Sequence, residues 1–305
     1  MIETTLGALL MILGGAGLRR LGLVRREDGQ VLVRIVIWLA LPALVFVIMS
    51  EASLQASLLL VPVAALGVHL VLLPLMLGLA RLMGRDRPTR GAMATSGAVG
   101  NTGFFGLPLI AAAGGGFSLP AAVMYDSIGN GIITWVSTPA VSAAHGEGSV
   151  EARLGWRTAL QGLLLPPIWA LVAGLIVNLA GVHDLPDVIE VPLRSLGGAV
   201  LPLVMVYAGL MLEVRGLPRV WREVGVVSVV KLGLAGLVGL AIGIALGLSG
   251  PVLHTVAIMA AMPTAMMSLV FGAQFRLPTQ LIAGCVVVTT LLATVTLPLV
   301  RALVT

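Results

Sequence analysis

The chain has 305 residues, of which 58% are hydrophobic and only 10% are charged, and its mean hydropathy is +1.09. Soluble domains carry about 25% charged residues, so this composition excludes an ordinary soluble domain and indicates a polytopic membrane protein embedded in a lipid bilayer. The net charge of +5 is spread over the connections between apolar segments. That placement argues against nucleic acid as a partner, and the single cysteine, Cys285, excludes an intramolecular disulfide.

A transmembrane helix needs about 20 predominantly apolar residues. Along the chain this criterion predicts an all-α protein with about ten spans. The N-terminus lacks the basic region of a signal peptide, so the first span is expected to be retained. Its glycine-rich end, residues 14–17, predicts close contact with another helix. The predicted spans are residues 4–18, 31–50, 57–80, 91–113, 118–144, 158–180, 192–212, 224–248, 252–274 and 279–303.

Arginine is concentrated in the odd-numbered connections between these spans. The even-numbered connections are neutral or acidic, as at Asp184, Asp187 and Glu190, with Arg194 as the exception. The positive-inside rule makes the odd connections cytoplasmic, which predicts periplasmic termini for a protein of the inner (plasma) membrane. The arginines are Arg19, Arg20, Arg25 and Arg26; Arg81, Arg85, Arg87 and Arg90; Arg153 and Arg157; Arg215, Arg219 and Arg222; and Arg276.

The fourth span contains a segment that makes poor α-helix. Residues 100–109 hold three glycines, Asn101 and Pro108 inside an uncharged stretch. A lipid-facing helix cannot break in hydrocarbon, but a helix that is buried in protein or lines a wet cavity can. Pro263 interrupts the ninth span at the corresponding position of the second half. Paired interruptions of this kind predict two inverted five-helix repeats, residues 1–146 and 157–305, with a binding site at the breaks.

The interrupted segment also resembles a known family. Asn101-Thr102-Gly103-Phe104-Phe105-Gly106-Leu107-Pro108-Leu109 is similar to the Asn-Thr-x-x-x-Gly-x-Pro-Leu stretch of the auxin efflux carrier family. The long central loop of many plant members is absent, which is similar to the bacterial branch. The resemblance covers essentially the whole chain, with further landmarks at Leu41-Pro42-Ala43-Leu44, Tyr125-Asp126, Asn130, Pro263, Phe271-Gly272-Ala273 and Thr296-Leu297-Pro298-Leu299.

This resemblance implies a fold related to bile-acid symporters and sodium/proton antiporters. Spans 4 and 9 would be broken helices that cross at mid-membrane. Spans 1, 2, 6 and 7 would form a scaffold, and spans 3–5 and 8–10 a mobile transport unit of the elevator type. The expected substrate is a small organic anion, such as auxin or a dicarboxylate, and a homodimer is expected.

The predicted substrate-binding residues lie at the two breaks. Asn101 and Thr102 are expected to hydrogen-bond the substrate beside a half-helix N-terminus, whose partial positive charge suits a carboxylate. Asn101 has an alternative role, in which it only caps the break. Gly103 and Pro108 are expected to shape the backbone, and Pro263 and Thr264 are their expected counterparts in span 9.

Three further residues are candidates for energy coupling. Asp126 lies within a span, and ionisable groups there are functional candidates; Asn130 comes one turn later. Asp126 is expected to carry a proton, or less favourably to help bind Na⁺, or to be a structural acid. Lys231 would supply a positive charge for the substrate, act as the counter-ion of Asp126, or extend its amino group to the cytoplasmic face.

Other classes of function fit the sequence less well. The chain has no Walker A motif and no metal-ligand spacing, so no metal or cofactor is expected and transport must use a gradient or the membrane potential. An uncoupled anion uniporter or channel remains an alternative. An intramembrane hydrolase is disfavoured, because Asp126 lacks a second aspartate within a span and Ser96 lacks an evident partner.

Overall fold

The structure is a computed structural model that describes residues 2–25, 27–147, 162, 164–182, 184–212 and 217–304. The boundary between the two expected repeats lies outside these residues, as do Arg26, Arg153, Arg157 and Arg215. All regular elements within the described ranges are helices.

Besides a short 3-10 turn at Leu217–Arg219, the described part of the chain contains twelve helices. They are α1 (Ile2–Arg20), α2 (Gly29–Ser50), α3 (Ala56–Leu82), α4 (Arg87–Ala98), α5 (Thr102–Ala113), α6 (119–145), α7 (Pro166–Leu179), α8 (Asp187–Met211), α9 (Trp221–Ala245), α10 (Gly250–Ala260), α11 (Met267–Gln274) and α12 (Thr279–Val304). Five of them, α2, α3, α8, α9 and α12, are long and apolar enough to cross a membrane. The protein is therefore a multi-pass membrane protein, while the count of ten spans stays a prediction.

Helix α8 begins five residues before its predicted start. The sequence predicts Asp187 and Glu190 in a connection, but both lie in the first turn of α8. Acidic side chains at this end of a helix interact favourably with the helix dipole. Arg194 on the same helix donates to Glu190 Oε1 at 2.6 Å and to Glu51 beyond the end of α2. The one arginine that departs from the charge pattern is therefore ion-paired with two carboxylates.

The structure has an interruption in each of the two segments where the sequence predicts one. Helix α4 ends at Ala98 and α5 begins at Thr102, while α10 ends at Ala260 and α11 begins at Met267. The first break is shorter than expected, because Gly103, Gly106 and Pro108 are helical. Residues 102–106 wind as a wider π-type turn, in which Leu107 N donates to Thr102 O. Residues 102–106, where unwinding was predicted, therefore form a wider helical turn instead.

Close contacts pack several of the helices along one another. Helix α1 packs along α8, and α2 packs against α7 and α8. A Cβ atom built on Gly15 of α1 would lie 2.2 Å from Val206 O, and one built on Gly209 of α8 would lie 2.0 Å from Ile12 O. This confirms the close helix contact predicted from the glycine-rich end of α1. Helix α3 packs against α4 and α9, α9 packs against α10 and α12, and α1 also packs against α12.

Replacing Gly15 by valine tests the α1–α8 contact. The new side chain would overlap the backbone of α8, and overpacking of this kind typically costs about 1–3 kcal/mol. Gly14→Val is the matched control, because no atom lies within 4 Å of a Cβ at that neighbouring position. We expect Gly15→Val to unfold at a clearly lower temperature than Gly14→Val in detergent. Equal midpoints would contradict the contact.

Candidate functional site

The two helix breaks pair with each other through backbone hydrogen bonds. Gly100 and Thr264 form an isolated antiparallel bridge. Asn101 N donates to Pro263 O at 2.7 Å, and Ala265 N donates to Val99 O at 3.0 Å. Each break thus satisfies polar groups that the other exposes, which hydrocarbon would leave unpaired at a cost of several kcal/mol each.

Side chains from other elements bind the carbonyl groups at the end of α4, which have no partner within the helix. These donors come from α3, α6, α11 and the second break. Their contacts are Ser268 Oγ to Thr95 O (3.0 Å), Thr264 Oγ1 to Ser96 O (2.8 Å), His69 Nδ1 to Ala98 O (3.2 Å) and Asn130 Nδ2 to Gly100 O (3.2 Å).

His69 has a structural role at this point. A carbonyl oxygen only accepts hydrogen bonds, so the contact with Ala98 O makes Nδ1 the protonated nitrogen. In the neutral ring Nε2 then accepts from Ser137 Oγ on α6 at 2.7 Å. His69 therefore joins α4 to α6, as a packed polar side chain does.

The side chain of Lys231, a residue of α9, extends to the C-terminal end of α10. Its side chain is only 2% exposed and Nζ donates to Ala260 O, the last residue of that helix, at 2.7 Å. A positive charge is favourable at a helix C-terminus. Lys231 thus points inward rather than to the cytoplasmic face. The ion pairs formed by the described residues do not include one between Lys231 and Asp126.

Asp126 of α6 lies at the N-terminal end of α5. Thr102 Oγ1 donates to Asp126 Oδ1 at 2.5 Å. A Cβ atom on Gly103 would lie 2.9 Å from Asp126 Oδ2, so the carboxyl group rests against the backbone of α5 and a side chain at position 103 would displace it. The positive end of the α5 dipole is a favourable place for a negative charge.

A cavity of about 560 Å³ opens beside this end of α5. Among the predicted site residues it is lined by Asn101, Thr102, Gly103, Asp126 and Asn130. The other four predicted residues, Pro108, Pro263, Thr264 and Lys231, are not among the residues that line it. In the structure Thr264 and Lys231 bind carbonyl groups at the breaks, Pro263 accepts a backbone bond, and Pro108 is buried in α5.

Several residues that line the cavity carry hydrogen-bonding groups without a partner among the described residues. Ser127 Oγ is buried and has none, and the Asn101 amide, on a residue that is 4% exposed, forms no hydrogen bond within the described structure. The first helical bonds of α5 run from Phe105 N and Gly106 N to Asn101 O. The N–H groups of residues 102–104 precede them and are free to bind a ligand.

Sequence reasoning missed Ser127 and Thr134, which also line the cavity. Thr134 lies four residues after Asn130, which lies four residues after Asp126, and this spacing keeps side chains on one face of a helix. Following the face of α6 that carries Asp126 would have identified Thr134. Ser127 lies outside that spacing, and no sequence signal distinguished it.

Discontinuous helices that meet at a cavity are typical of membrane transport proteins. The comparisons with known proteins agree, because the model of the family described as "Membrane transport protein" matches residues 1–152 and 149–301. The chain belongs to this family, the auxin efflux carrier family that its motifs predict.

Two relatives cover nearly the whole chain. An uncharacterized transporter of Methanothermobacter thermautotrophicus is 31% identical over 97% of this chain and 96% of its own length. An uncharacterized transporter of Methanocaldococcus jannaschii is 26% identical over 95% and 94%, respectively. Both organisms are archaea, so these relatives do not tie the chain to the bacterial branch that the sequence predicts.

A pair of buried serines tests whether the bonds at the break stabilise the fold. Ser268 donates to Thr95 O, whereas Ser142 is equally buried and its Oγ has no partner. Loss of a buried partner costs about 1–3 kcal/mol. We expect Ser268→Ala to lower the free energy of unfolding by that amount and Ser142→Ala to change it little, as measured by unfolding in mixed detergent. Equal losses would contradict this account.

Proposed function

We propose that this chain is a secondary active transporter that moves a small organic anion, such as a carboxylate, across the plasma (inner) membrane. The observation that carries the proposal is the set of unpaired donors at the N-terminus of α5. Residues 101–104, which carry the unpaired backbone N–H groups and the Asn101 amide, all line one cavity. A helix N-terminus carries about half a positive charge and binds anions without a basic side chain.

Asp126 supports coupling of this transport to protons. It is the one acid among the cavity-lining residues that the structure describes, and no basic side chain accompanies it there. A carboxylate substrate and an ionised Asp126 would repel each other in an apolar cavity. Binding of the anion therefore favours uptake of one proton by Asp126. Sodium is the less favoured coupling ion, because no cluster of acids surrounds Asp126 among the cavity-lining residues described.

The proposed mechanism is movement of one helix group past the other. The scaffold would comprise α1, α2, α7 and α8, and the transport unit α3–α6 and α9–α12. The packing of α1 and α2 on α8 supports this division. The cavity is lined both by Leu41 of α2 and Pro167 of α7 and by residues of α5 and α6, so the substrate would lie at the boundary between the groups.

We also propose how the chain is arranged in the membrane. The breaks would cross at mid-membrane within two inverted repeats, residues 1–146 and 157–305, with both termini periplasmic. The pairing of the breaks through Gly100 and Thr264 supports the crossing. The protein would act as a homodimer.

Asn101→Ala tests the substrate site. Removal of a donor from a buried anion should weaken binding by about 1.5–3 kcal/mol, or about 10- to 150-fold in Kd. A panel of organic acids would be screened against the purified protein by thermal stabilisation, because a bound ligand raises stability by mass action. The variant would then be titrated with the compounds that bind.

Asn178→Ala is the matched control, because its amide binds Ser50 O and Ala52 O away from the cavity. We expect this variant to lose stability while it keeps the wild-type affinity. If Asn101→Ala shows the same behaviour, the Asn101 side chain does not bind the substrate.

Asp126→Asn tests the coupling. A side chain that cannot ionise should flatten the pH dependence of uptake into proteoliposomes, while exchange of bound substrate continues. Folding should survive, because Asp126 is not ion-paired with Lys231. Glu190→Gln, which changes an acid of the outer Arg194 network, should keep the wild-type profile. An Asp126→Asn variant with wild-type rate and pH dependence would rule out a coupling role.

A further inference from the structure

Lys231 is the only lysine in the chain, and it is buried within α9. Charged side chains inside a membrane span are costly and commonly mark functional sites. Residues 229–234 of α9 wind as a π-type turn, and turns of this kind are frequent at functional sites. Proton coupling through Asp126 leaves Lys231 without a role beyond its bond to Ala260 O. The charge of Lys231 is therefore a candidate for a further role at the same site.

The charge of Lys231 has no counter-ion in contact with it among the described residues. An ammonium group has three donors, and the structure describes one hydrogen bond, from Nζ to Ala260 O. Glu223, the acid on the same helix, pairs instead with Arg85 at 2.8 Å. A buried charge without an ionic partner is costly. An anion that binds nearby would therefore be stabilised by Lys231 and would stabilise it in return.

Gly100 brings this charge close to the N-terminus of α5. A Cβ atom built on Gly100 would lie 3.2 Å from Lys231 Nζ and 3.4 Å from Thr102 Cγ2. The ammonium group and Thr102 therefore both lie against Gly100, which lines the cavity beside α5. Because Thr102 follows Gly100 by two residues, the first free N–H group of α5 lies within about 10 Å of the ammonium group. Lys231 itself does not line the cavity, so its charge would act on a ligand through space rather than by contact.

We propose, on the basis of the carboxylate site proposed above, that Lys231 makes this site select an anion over an uncharged molecule of the same shape. The free N–H groups of residues 102–104 orient the carboxylate, and Lys231 supplies the net positive charge that backbone groups lack. With a proton on Asp126, the one acid among the described cavity-lining residues, the bound carboxylate supplies the negative charge that Lys231 stabilises. Two unit charges about 10 Å apart at an effective dielectric constant of about 20 change a Kd about tenfold.

The test compares phenylacetate with phenylacetamide, which has nearly the same shape without the charge. Binding to purified protein in detergent is measured by titration calorimetry, and we expect the wild type to bind phenylacetate more tightly. Lys231→Gln keeps a donor for Ala260 O but removes the charge. It should weaken phenylacetate binding about tenfold and leave phenylacetamide binding unchanged. Ser268→Ala is the matched control, because it removes a buried bond to Thr95 O at the same break without a change of charge. It should keep the wild-type affinity for both probes.

Lys231→Met removes the charge with an apolar side chain of nearly equal length, and it tests the role of Lys231 if Lys231→Gln fails to fold. Equal losses for the two probes would overturn the selective role, because Lys231 would then only hold the end of α10. A preference for phenylacetate that survives in the variants would overturn it too, while the carboxylate site of the proposed function would stand. If the wild type does not bind phenylacetate more tightly than phenylacetamide, the proposed function itself is contradicted, and the role of Lys231 with it.

Discussion

The structure depends on one constraint, which is that a backbone polar group has no partner in hydrocarbon. Two interrupted helices expose many such groups, and neither break is tolerable alone. The two breaks bind each other through Asn101 N and Ala265 N, and side chains from α3, α6, α9 and α11 bind further carbonyl groups there. The surrounding helices are thereby fixed in position around the breaks.

The same constraint accounts for the polarity of the site. The buried amino group of Lys231 lies at the negative end of α10, and Asp126 lies at the positive end of α5. The carbonyl ends of the broken helices are therefore occupied, whereas the amide end of α5 keeps free donors beside a cavity. In our proposal the substrate anion completes this set of hydrogen bonds, and a proton on Asp126 offsets the added negative charge.

Composition and the positions of glycine and proline were enough to predict the membrane class and the interrupted segments. Local patterns also identified Asn101, Thr102, Gly103, Asp126 and Asn130 as candidates, but they did not predict that these residues line the same cavity. The first break ends earlier in the chain than predicted, because residues 102–106 wind as a π-type turn and the helix continues through Pro108. Winding of this kind depends on tertiary packing. The sequence did not determine the direction of the Lys231 side chain, since the depth of this residue in its span permits the amino group to lie either inside the protein or at the membrane surface. Ser127 was missed because it lies outside the spacing that places Asp126, Asn130 and Thr134 on one face of α6.

The most direct test of the central claim is an experimental structure in a lipid nanodisc with a carboxylate chosen by the stabilisation screen. Our account predicts a break between α4 and α5 at residues 99–101, paired with the break after α10. It also predicts that the carboxylate density lies against the N–H groups of residues 102–104 and the side chain of Asn101. A continuous helix through residues 87–113, or a carboxylate bound away from the N-terminus of α5, would contradict it.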